Sequence, residues 1–304
     1  MKTVYIGIFL SLMSISAIAQ EFNAKITPQG ILVSEGGQKV LYYQKETKSM
    51  NGQYPRANYI HPLYDLQGNS ITEDFPEDHM HHRGVFWAWH QVLVAGKHMG
   101  DSWECSDFTW EVKKATTENV SNKLLLDVKT LWSSPDYVVN GLEVPFIEEN
   151  TQVTVHPMRN NHRIIDFEIS LLALVDDVQI GGSEDVKGYG GFSARLKLPS
   201  DIKFNSEGKK ITPKNEAIQA GREMQLDGTL NPDQKLGVLM VASKSNPAPN
   251  NSWILRSENS MQNAVYPGAK PVAVSQNTPT ILKYRMVIYN GNPSKKQLRL
   301  WQNF

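Results

Sequence analysis

Residues 165–171, with the sequence IDFEISL, decide the fold class of this chain of 304 residues. Apolar and polar side chains alternate strictly along this stretch. Successive side chains of a β-strand point to opposite faces of the sheet, so the alternation predicts a strand with one buried face and one face in water.

The same two-residue period recurs over residues 124–130, 238–242 and 282–288. Clusters of Gly, Pro and Asn separate such segments, for example at residues 35–37 and 246–250, and no amphipathic helix longer than a turn or two is evident. Many strands with frequent turns and no alternating helices predict an all-β protein. We therefore expect a large antiparallel two-sheet β-sandwich.

Composition excludes several classes of protein. The chain is 40% hydrophobic and has one cysteine, which rules out a disordered chain, collagen, a coiled coil and a disulfide scaffold. Lys and Arg total 31 and Asp and Glu total 31, with no basic run, so neutralisation of phosphates cannot supply affinity for a nucleic acid. The length suits a single sandwich, and we predict one domain over residues 20–304.

The first 19 residues have the composition of a secretory signal peptide. Lys2 supplies a positive start, residues 4–13 an apolar centre, and residues 17–19 (AIA) a small-residue cleavage site. No cysteine follows that site, and nothing downstream approaches the ~20 consecutive apolar residues of a membrane span. We expect a periplasmic or secreted protein that is not a lipoprotein, with an uncleaved membrane anchor as the alternative.

A long polar excursion is predicted over residues 61–82, which are rich in acids and His and show little alternation. Six of the eight His residues lie between His61 and His98, and four of the seven Trp residues lie nearby, at Trp87, Trp89, Trp103 and Trp110. Aromatic faces stack on the CH faces of sugars while polar groups bind their hydroxyls, so this composition favours a carbohydrate cleft. For Trp87 and Trp89, in the apolar run 85–94, packing in the core is favoured over contact with a sugar.

The string DHMHHR at residues 78–83 allows two kinds of chemistry. If the backbone is extended, His79 and His81 project to one face and could chelate zinc, with His61, Asp78 or Glu104 as a third ligand. No second ligand pair at a recognised spacing follows, so the string alone is a weak metal signal.

In the second interpretation, imidazoles act as general acid and base. The unperturbed pKa of His near 6.5 suits proton transfer at neutral pH, and a carboxylate of Asp65, Glu104 or Glu184 would be the partner. Arg83 would then orient a carboxylate or hydroxyl groups of the substrate.

A glycine-rich stretch at residues 181–192 is a further candidate, because glycine lets backbone approach a ligand closely. Glu184, Lys187 and Arg195 place charge on or beside it. Its spacing fits neither the dinucleotide nor the Walker pattern, and a tight hairpin with ordinary surface charges is the alternative. No G-x-S-x-G string occurs, which argues against a serine hydrolase.

Three strings, YIHPLYDLQG (59–68), TEDFPEDHMHHRG (72–84) and FWAW (86–89), resemble the PmoA-like family, a group of uncharacterised bacterial proteins. Residues 182–195, 266–268 and 282–285 are similar to the C-terminal half of that family. The resemblance implies a shared site formed by His61, Asp65, Asp78, His79, His81, His82 and Arg83, with Glu104, Glu184, Lys187 and Arg195 as additions. The family is named after a membrane-embedded methane oxygenase subunit, an activity that needs several apolar spans and that this sequence does not support.

We therefore expect an exported carbohydrate-active enzyme on a β-supersandwich similar to galactose mutarotases, an analogy at the level of the fold alone, with a long His-rich loop. The candidate catalytic residues are His81, His82, Arg83, His61, Asp65, Glu104 and Glu184. The candidate substrate-binding residues are Trp87, Trp103, Lys187, Arg195 and Asp78, and the candidate metal ligands are His79, His81 and Asp78.

The sequence does not distinguish mutarotation or epimerisation from elimination or hydrolysis, since all of them need paired acids and bases. Two other functions stay open: a non-catalytic glycan-binding envelope protein, and a metal-dependent enzyme with zinc or another divalent metal at the His cluster.

Overall fold

The computed structural model describes residues 21–247 and 251–304, and the predicted signal peptide lies outside them. The protein is nearly all β, with 54% strand against 2% helix, as the alternation predicts. The strands in chain order are β1 (Phe22–Ile26), β2 (Gly30–Glu35), β3 (Gln38–Gln44), β4 (Lys48–Met50), β5 (Gln53–Arg56), β6 (Tyr59–Leu63), β7 (Val85–Ala88), β8 (Gln91–Val94), β9 (Lys97–His98), β10 (Thr109–Val120), β11 (Lys123–Ser133), β12 (Val138–Val139), β13 (Leu142–Glu143), β14 (Ile147–Val155), β15 (His162–Ala173), β16 (Val178–Gly181), β17 (Gly191–Ala194), β18 (Lys203–Ser206), β19 (Lys209–Ile211), β20 (Ile218–Gln219), β21 (Glu223–Asn231), β22 (Gln234–Ala242), β23 (Ser252–Ile254), β24 (Gln262–Val265), β25 (Val272–Ala273) and β26 (Thr280–Tyr289). One helix, α1 (Lys295–Trp301), follows them.

Two antiparallel sheets of nine strands form the sandwich. The first sheet has the order β1-β2-β3-β6-β7-β17-β24-β23-β20, and the second has the order β10-β11-β14-β15-β26-β22-β21-β18-β19. A four-stranded sheet, β25-β16-β8-β9, and two hairpins, β12-β13 and β4-β5, complete it. The predicted fold class is confirmed.

The core lies between the two large sheets. Phe192 of β17 stacks on Tyr284 of β26 with ring centroids 4.5 Å apart, and it also meets Phe167 of β15 at 4.9 Å. Burial alternates strictly along β15, so its apolar face enters this layer while its polar face stays in water.

All four segments with the two-residue period are strands, in β11, β15, β22 and β26. However, the central residues of β22 and β26 are buried on both faces, not on one. Helix α1 is the reason, because Trp301 packs on Leu239, Val241 and Val287 on the outer side of the second sheet.

The apolar run 85–94 is not a single strand. It divides into β7 and β8, which belong to different sheets. The side-chain hydroxyl of Ser102 accepts from the backbone N–H of Trp89 and donates to its carbonyl, at 2.8 and 2.7 Å. Because these bonds use the backbone N–H and carbonyl of Trp89, neither group pairs with a neighbouring strand, and β7 ends at Ala88.

The Lys-, Asn- and Gly-rich composition of residues 199–234 predicts a loop with a short hairpin. The structure has the hairpin, β18-β19, and in addition the nine-residue strand β21 of the second sheet. The glycine-rich stretch 182–190 connects β16 and β17 of different sheets, so the tight hairpin considered above is not formed there.

The polar excursion begins later than predicted, since residues 61–63 belong to β6. Beyond them the chain is held by the isolated bridges Tyr64–Ser70, Thr72–Leu196 and Asp74–Arg83. It rejoins the sheet at Gly84, which has φ of 53° and where an added Cβ would lie 2.1 Å from the carbonyl oxygen of Ile60. Only glycine fits that position, so it fixes how the His-rich loop enters β7.

Among the described residues, no helix is long and apolar enough to cross a membrane. Cys105 is a buried free thiol, as expected of a lone cysteine. The single-domain boundaries 20–304 and the exported location stay predictions.

Candidate functional site

A cleft lies on the outer face of the first sheet. Val85 and Trp87 of β7 point into the main core, so the alternate residues Phe86 and Ala88 point outward and join a second apolar cluster with Trp103. The cleft has a volume of ≈ 450 Å³, within the ~300–1,000 Å³ usual for small-molecule sites. It is lined by His79, His81, His82, Trp103, Glu104, Lys187, Tyr189, Asn215, Ile254, Arg256, Glu258, Asn259, Ser260 and Met261.

Three imidazoles meet at one side of the cleft because the chain turns, not because it is extended. The backbone N–H of His79 donates to Pro76 O at 3.0 Å, and that of His82 donates to His79 O at 2.9 Å. The rings of His79 and His82 stack with centroids 4.7 Å apart, and His81 lies edge-on to His82 at 4.5 Å. The extended backbone on which the metal interpretation of His79 and His81 depends is therefore not formed, although the two rings lie with their centroids 5.7 Å apart.

Asp78 and Arg195 hold this turn from behind. Arg195 donates through Nη1 and Nη2 to both oxygens of Asp78 at 2.8 and 2.7 Å, and through Nε to Glu73 at 2.7 Å. Its Nη1 also lies 3.4 Å from Nδ1 of His82. Burial raises the pKa of Asp78, but hydrogen bonds from Arg195 and His79 outweigh it and lower that pKa to about 2. Both residues thus position the imidazoles.

The metal hypothesis finds little support in this arrangement. Both oxygens of Asp78 already bond Arg195, and its Oδ2 lies 2.6 Å from Nδ1 of His79. Over residues 21–247 and 251–304, no three His, Cys, Asp or Glu side chains converge so as to hold a metal ion. Metal binding by His79, His81 and Asp78 stays an untested prediction.

Glu104 lies beside His81 at the edge of the cleft, with Oε2 3.1 Å from Nδ1 of the imidazole. The loop that carries Glu104 is organised by Asp101, whose Oδ1 accepts from the backbone N–H groups of Trp103 and Glu104 at 2.8 and 3.0 Å. The other oxygen of Asp101 lies 2.8 Å from Nδ1 of His90. This Asx-type turn fixes the backbone on which Glu104 stands.

Arg56 supports the same loop from below. It is 1% exposed, donates to Ser102 O at 2.5 Å, and lies over the rings of Phe86 and Trp110 at 4.9 and 4.4 Å. Among residues 21–247 and 251–304, its hydrogen-bond partners are backbone carbonyls and the thiol of Cys105 and include no carboxylate, so it adds positive charge beneath the cleft.

These surroundings keep His81 and His82 neutral. Burial, with neighbouring imidazoles and Arg56, lowers the pKa of His81 to about 3 and that of His82 well below its usual range. Burial and the charge of Asp101 raise the pKa of Glu104. At neutral pH the pair of His81 and Glu104 therefore combines an uncharged imidazole with a carboxylate that accepts a proton more readily than a free one.

The opposite wall is aromatic and cationic. Trp103 is 1% exposed and forms the floor, while the half-buried Tyr189 lies against it at 5.1 Å and presents the accessible ring. Arg256 and Lys187 stand beside Tyr189.

The structure brings together five of the predicted catalytic and substrate-binding residues, and places two more behind them. His81, His82, Trp103, Glu104 and Lys187 line the cleft, and Asp78 and Arg195 support it. The sequence did not single out Arg56, Asp101, Asn215 or Arg256, because each comes from a part of the chain with no recognisable string. Tyr189 stood in the quoted glycine-rich stretch, and its aromatic ring was the one available signal.

Arg83 and His61 lie outside the cleft. Arg83 belongs to a group of buried contacts that we call the closed cluster (Lys48, Tyr59, Asp74 and Arg83), and His61 lies beside that cluster. Arg83 is fully buried and donates through Nε to Asp74 at 2.5 Å and through Nη2 to the Tyr59 hydroxyl at 2.6 Å. Nδ1 of His61 lies 3.0 Å from the Thr72 hydroxyl, and burial lowers its pKa to about 4. Neither residue lines the cleft.

Three further candidates lie outside the cleft. Asp65 is buried and accepts from the backbone N–H groups of Gln67 and Asn69, so it fixes a turn. Glu184 is exposed at a separate pocket of ≈ 370 Å³. Trp87 lies between the sheets and donates to the buried carboxylate of Glu149 at 2.8 Å, as the core interpretation predicts.

A family model described as a family of unknown function, DUF6807, matches residues 30–302. Because the match covers most of the chain, the chain belongs to this family. No curated protein matches it.

Proposed function

We propose that this DUF6807 protein is a carbohydrate-active enzyme that performs acid–base chemistry in the cleft, with His81 and Glu104 as the working pair. The observation that carries the proposal is this pair itself, an imidazole nitrogen and a carboxylate oxygen 3.1 Å apart at the edge of a cleft of ≈ 450 Å³. That distance is within reach of proton transfer.

Access distinguishes the pair from its neighbours. The His81 side chain is 12% exposed and that of Glu104 is 44% exposed, whereas His82 is 2% exposed. His81 and Glu104 can thus meet a substrate, and His82 acts as the packed support against which the ring of His81 lies.

The rest of the wall suits a sugar. Tyr189 offers a flat apolar face, and Asn215, Asn259 and Ser260 offer donors and acceptors for hydroxyl groups. Mutarotation, epimerisation, elimination and hydrolysis all require a proton to be taken and a proton to be given. The Glu104 carboxylate, whose pKa is raised, can take the proton and, once protonated, give it back, while the uncharged imidazole of His81 lies beside it.

The proposal includes a periplasmic or secreted location and a supersandwich similar to that of galactose mutarotases. Both are supported by the sequence alone, as is the resemblance to the PmoA-like family.

The test is a screen of purified protein against mono- and oligosaccharides by thermal shift, with products followed by NMR. A sugar at 100 times its Kd should add about 2.7 kcal/mol to the free energy of unfolding. Any turnover should fall about 10²- to 10⁴-fold in His81→Ala, with a much smaller loss of affinity.

His98→Ala is the matched control, because His98 is exposed and lies outside the cleft. Sugar binding without turnover would identify a glycan-binding protein, and no response to any sugar would contradict the proposal.

A further inference from the structure

One half-buried guanidinium of the cleft wall, that of Arg256, has no carboxylate partner among the described residues, in contrast to four buried arginines. Arg83, Arg163, Arg195 and Arg285 each contact an Asp or Glu oxygen. Arg256 instead donates to the carbonyl oxygens of Lys214 and Leu255 and to Oδ1 of Asn215. Burial lowers its pKa, and the one titratable neighbour that opposes this is Tyr189. Its charge is therefore partly desolvated without compensation from a described carboxylate.

The hydrogen bonds of Arg256 leave one edge of the guanidinium available. Nη1 uses its two hydrogens on Lys214 O at 2.7 Å and Leu255 O at 2.9 Å, and Nη2 uses one on Asn215 at 3.1 Å. The Nε hydrogen and the second Nη2 hydrogen donate to no residue that the structure describes. Parallel N–H groups on such an edge match the two oxygens of a carboxylate.

The same bonds fix the guanidinium in place before a ligand arrives. A side chain held by three acceptors loses little conformational freedom on binding, so more of the interaction energy appears as affinity. Lys187 supplies a second cation on the cleft wall, and its Nζ lies 3.4 Å from Asp185.

The acids of the cleft do not neutralise this edge. Glu104 stands by His81 and has a raised pKa, and Glu258 is exposed. Neither forms an ion pair with Arg256 among the described residues.

We infer that the substrate is an acidic sugar, with a carboxylate that binds the Nε and Nη2 edge of Arg256 while the sugar ring lies against Tyr189. The inference rests on the proposed function and narrows it to uronic acids and glycosides that contain them.

The experiment compares galacturonate and glucuronate with galactose and glucose by calorimetric titration of the full chain. We expect the uronates to bind about 10- to 100-fold more tightly than the neutral sugars, the range expected for charge-assisted hydrogen bonds. Arg256→Gln should lower the affinity for the uronates by about 10- to 100-fold, so that they bind no more tightly than the neutral sugars bind to the same variant. Arg256→Lys, which keeps the charge without the paired donors, should restore part of this affinity.

Arg159→Gln is the matched control, because it removes one charge from an exposed arginine outside the cleft. Equal affinity for acidic and neutral sugars, or tighter binding of glucose 6-phosphate than of glucuronate, would overturn the inference and leave the proposed function standing. Failure of all of these sugars to bind would overturn both.

Discussion

The closed cluster and the cleft are built from the same His- and acid-rich stretch of chain, yet they differ in what their charged groups contact. In the closed cluster, Arg83 is fully buried and its donors meet Asp74 and Tyr59. In the cleft, His81 and Glu104 pair with each other, are partly exposed and share a cavity with Arg256. A high local density of titratable residues therefore does not locate a site. A site is located instead by groups that have unused hydrogen-bonding capacity beside a cavity.

The largest expected difference between the two regions is in stability. Asp74→Ala leaves Arg83 buried without its carboxylate, which should lower the free energy of unfolding by about 3–5 kcal/mol. Urea denaturation measures the change. Glu104→Ala, the matched substitution in the cleft, should cost less than about 1 kcal/mol. Equal losses would show that the two regions are not distinct in this way.

The second difference is in pH dependence. His61 has an unfolded-state pKa near 6.5 and a folded-state pKa lowered to about 4, so the unfolded chain binds more protons between these values. Its contribution to stability is present above pH 6.5 and is lost as the pH falls toward 4, at up to about 1.4 kcal/mol per pH unit.

His61→Gln should flatten the loss of stability with acid over that window, as followed by urea midpoints at successive pH values. The variant keeps a polar side chain beside Thr72 but does not titrate. An unchanged slope would contradict the buried, neutral state of His61.

A smaller loss of stability, together with a loss of sugar affinity, should follow from changing Asp78, which supports the imidazoles of the cleft. Asp78→Asn removes the charge that Arg195 holds through two hydrogen bonds, at an expected cost of about 1–2 kcal/mol in unfolding free energy. Because Asp78 contacts His79 directly and holds Arg195, which lies against His82, sugar affinity should fall as well. Glu73→Gln removes charge from the other partner of Arg195, away from the imidazoles. If it reduced sugar affinity as much, Asp78 would have no special positioning role.

The smallest expected change in stability belongs to Glu104→Gln. This residue is 44% exposed, so unfolding should shift by less than about 0.5 kcal/mol. Turnover of any sugar substrate should nevertheless fall about 10²-fold or more, because the amide cannot take a proton. A variant with full turnover would remove Glu104 from the mechanism.

The strands were predictable because burial on one face imposes a two-residue period, as β11 and β15 show. The burial of β22 on both faces was not predictable, because it depends on Trp301, near the C-terminal end of the chain, packing against its outer face. Local sequence also could not show that Ser102 ends β7 by bonding the backbone of Trp89.

For the site, the sequence located the cluster of His79, His81 and His82 but not its geometry. Turn formation at Pro76, not an extended strand, brings the rings together. Arg256 was missed because its significance lies in having no carboxylate partner among the described residues. Only the tertiary structure shows which side chains lie beside it. Arg83 was assigned to the site because its neighbours in sequence lie in the cleft. Its hydrogen-bond partners, however, lie outside the cleft.

The most direct test of the cleft as the functional site is ¹⁵N NMR of the histidine side chains during titration with galactose and then with galacturonate. We expect the ring-nitrogen resonances of His79, His81 and His82 to shift, His81 to stay neutral at pH 5, and His61 not to respond to sugar. A response of His61 without one from the three cleft imidazoles, or no response from any histidine, would contradict it.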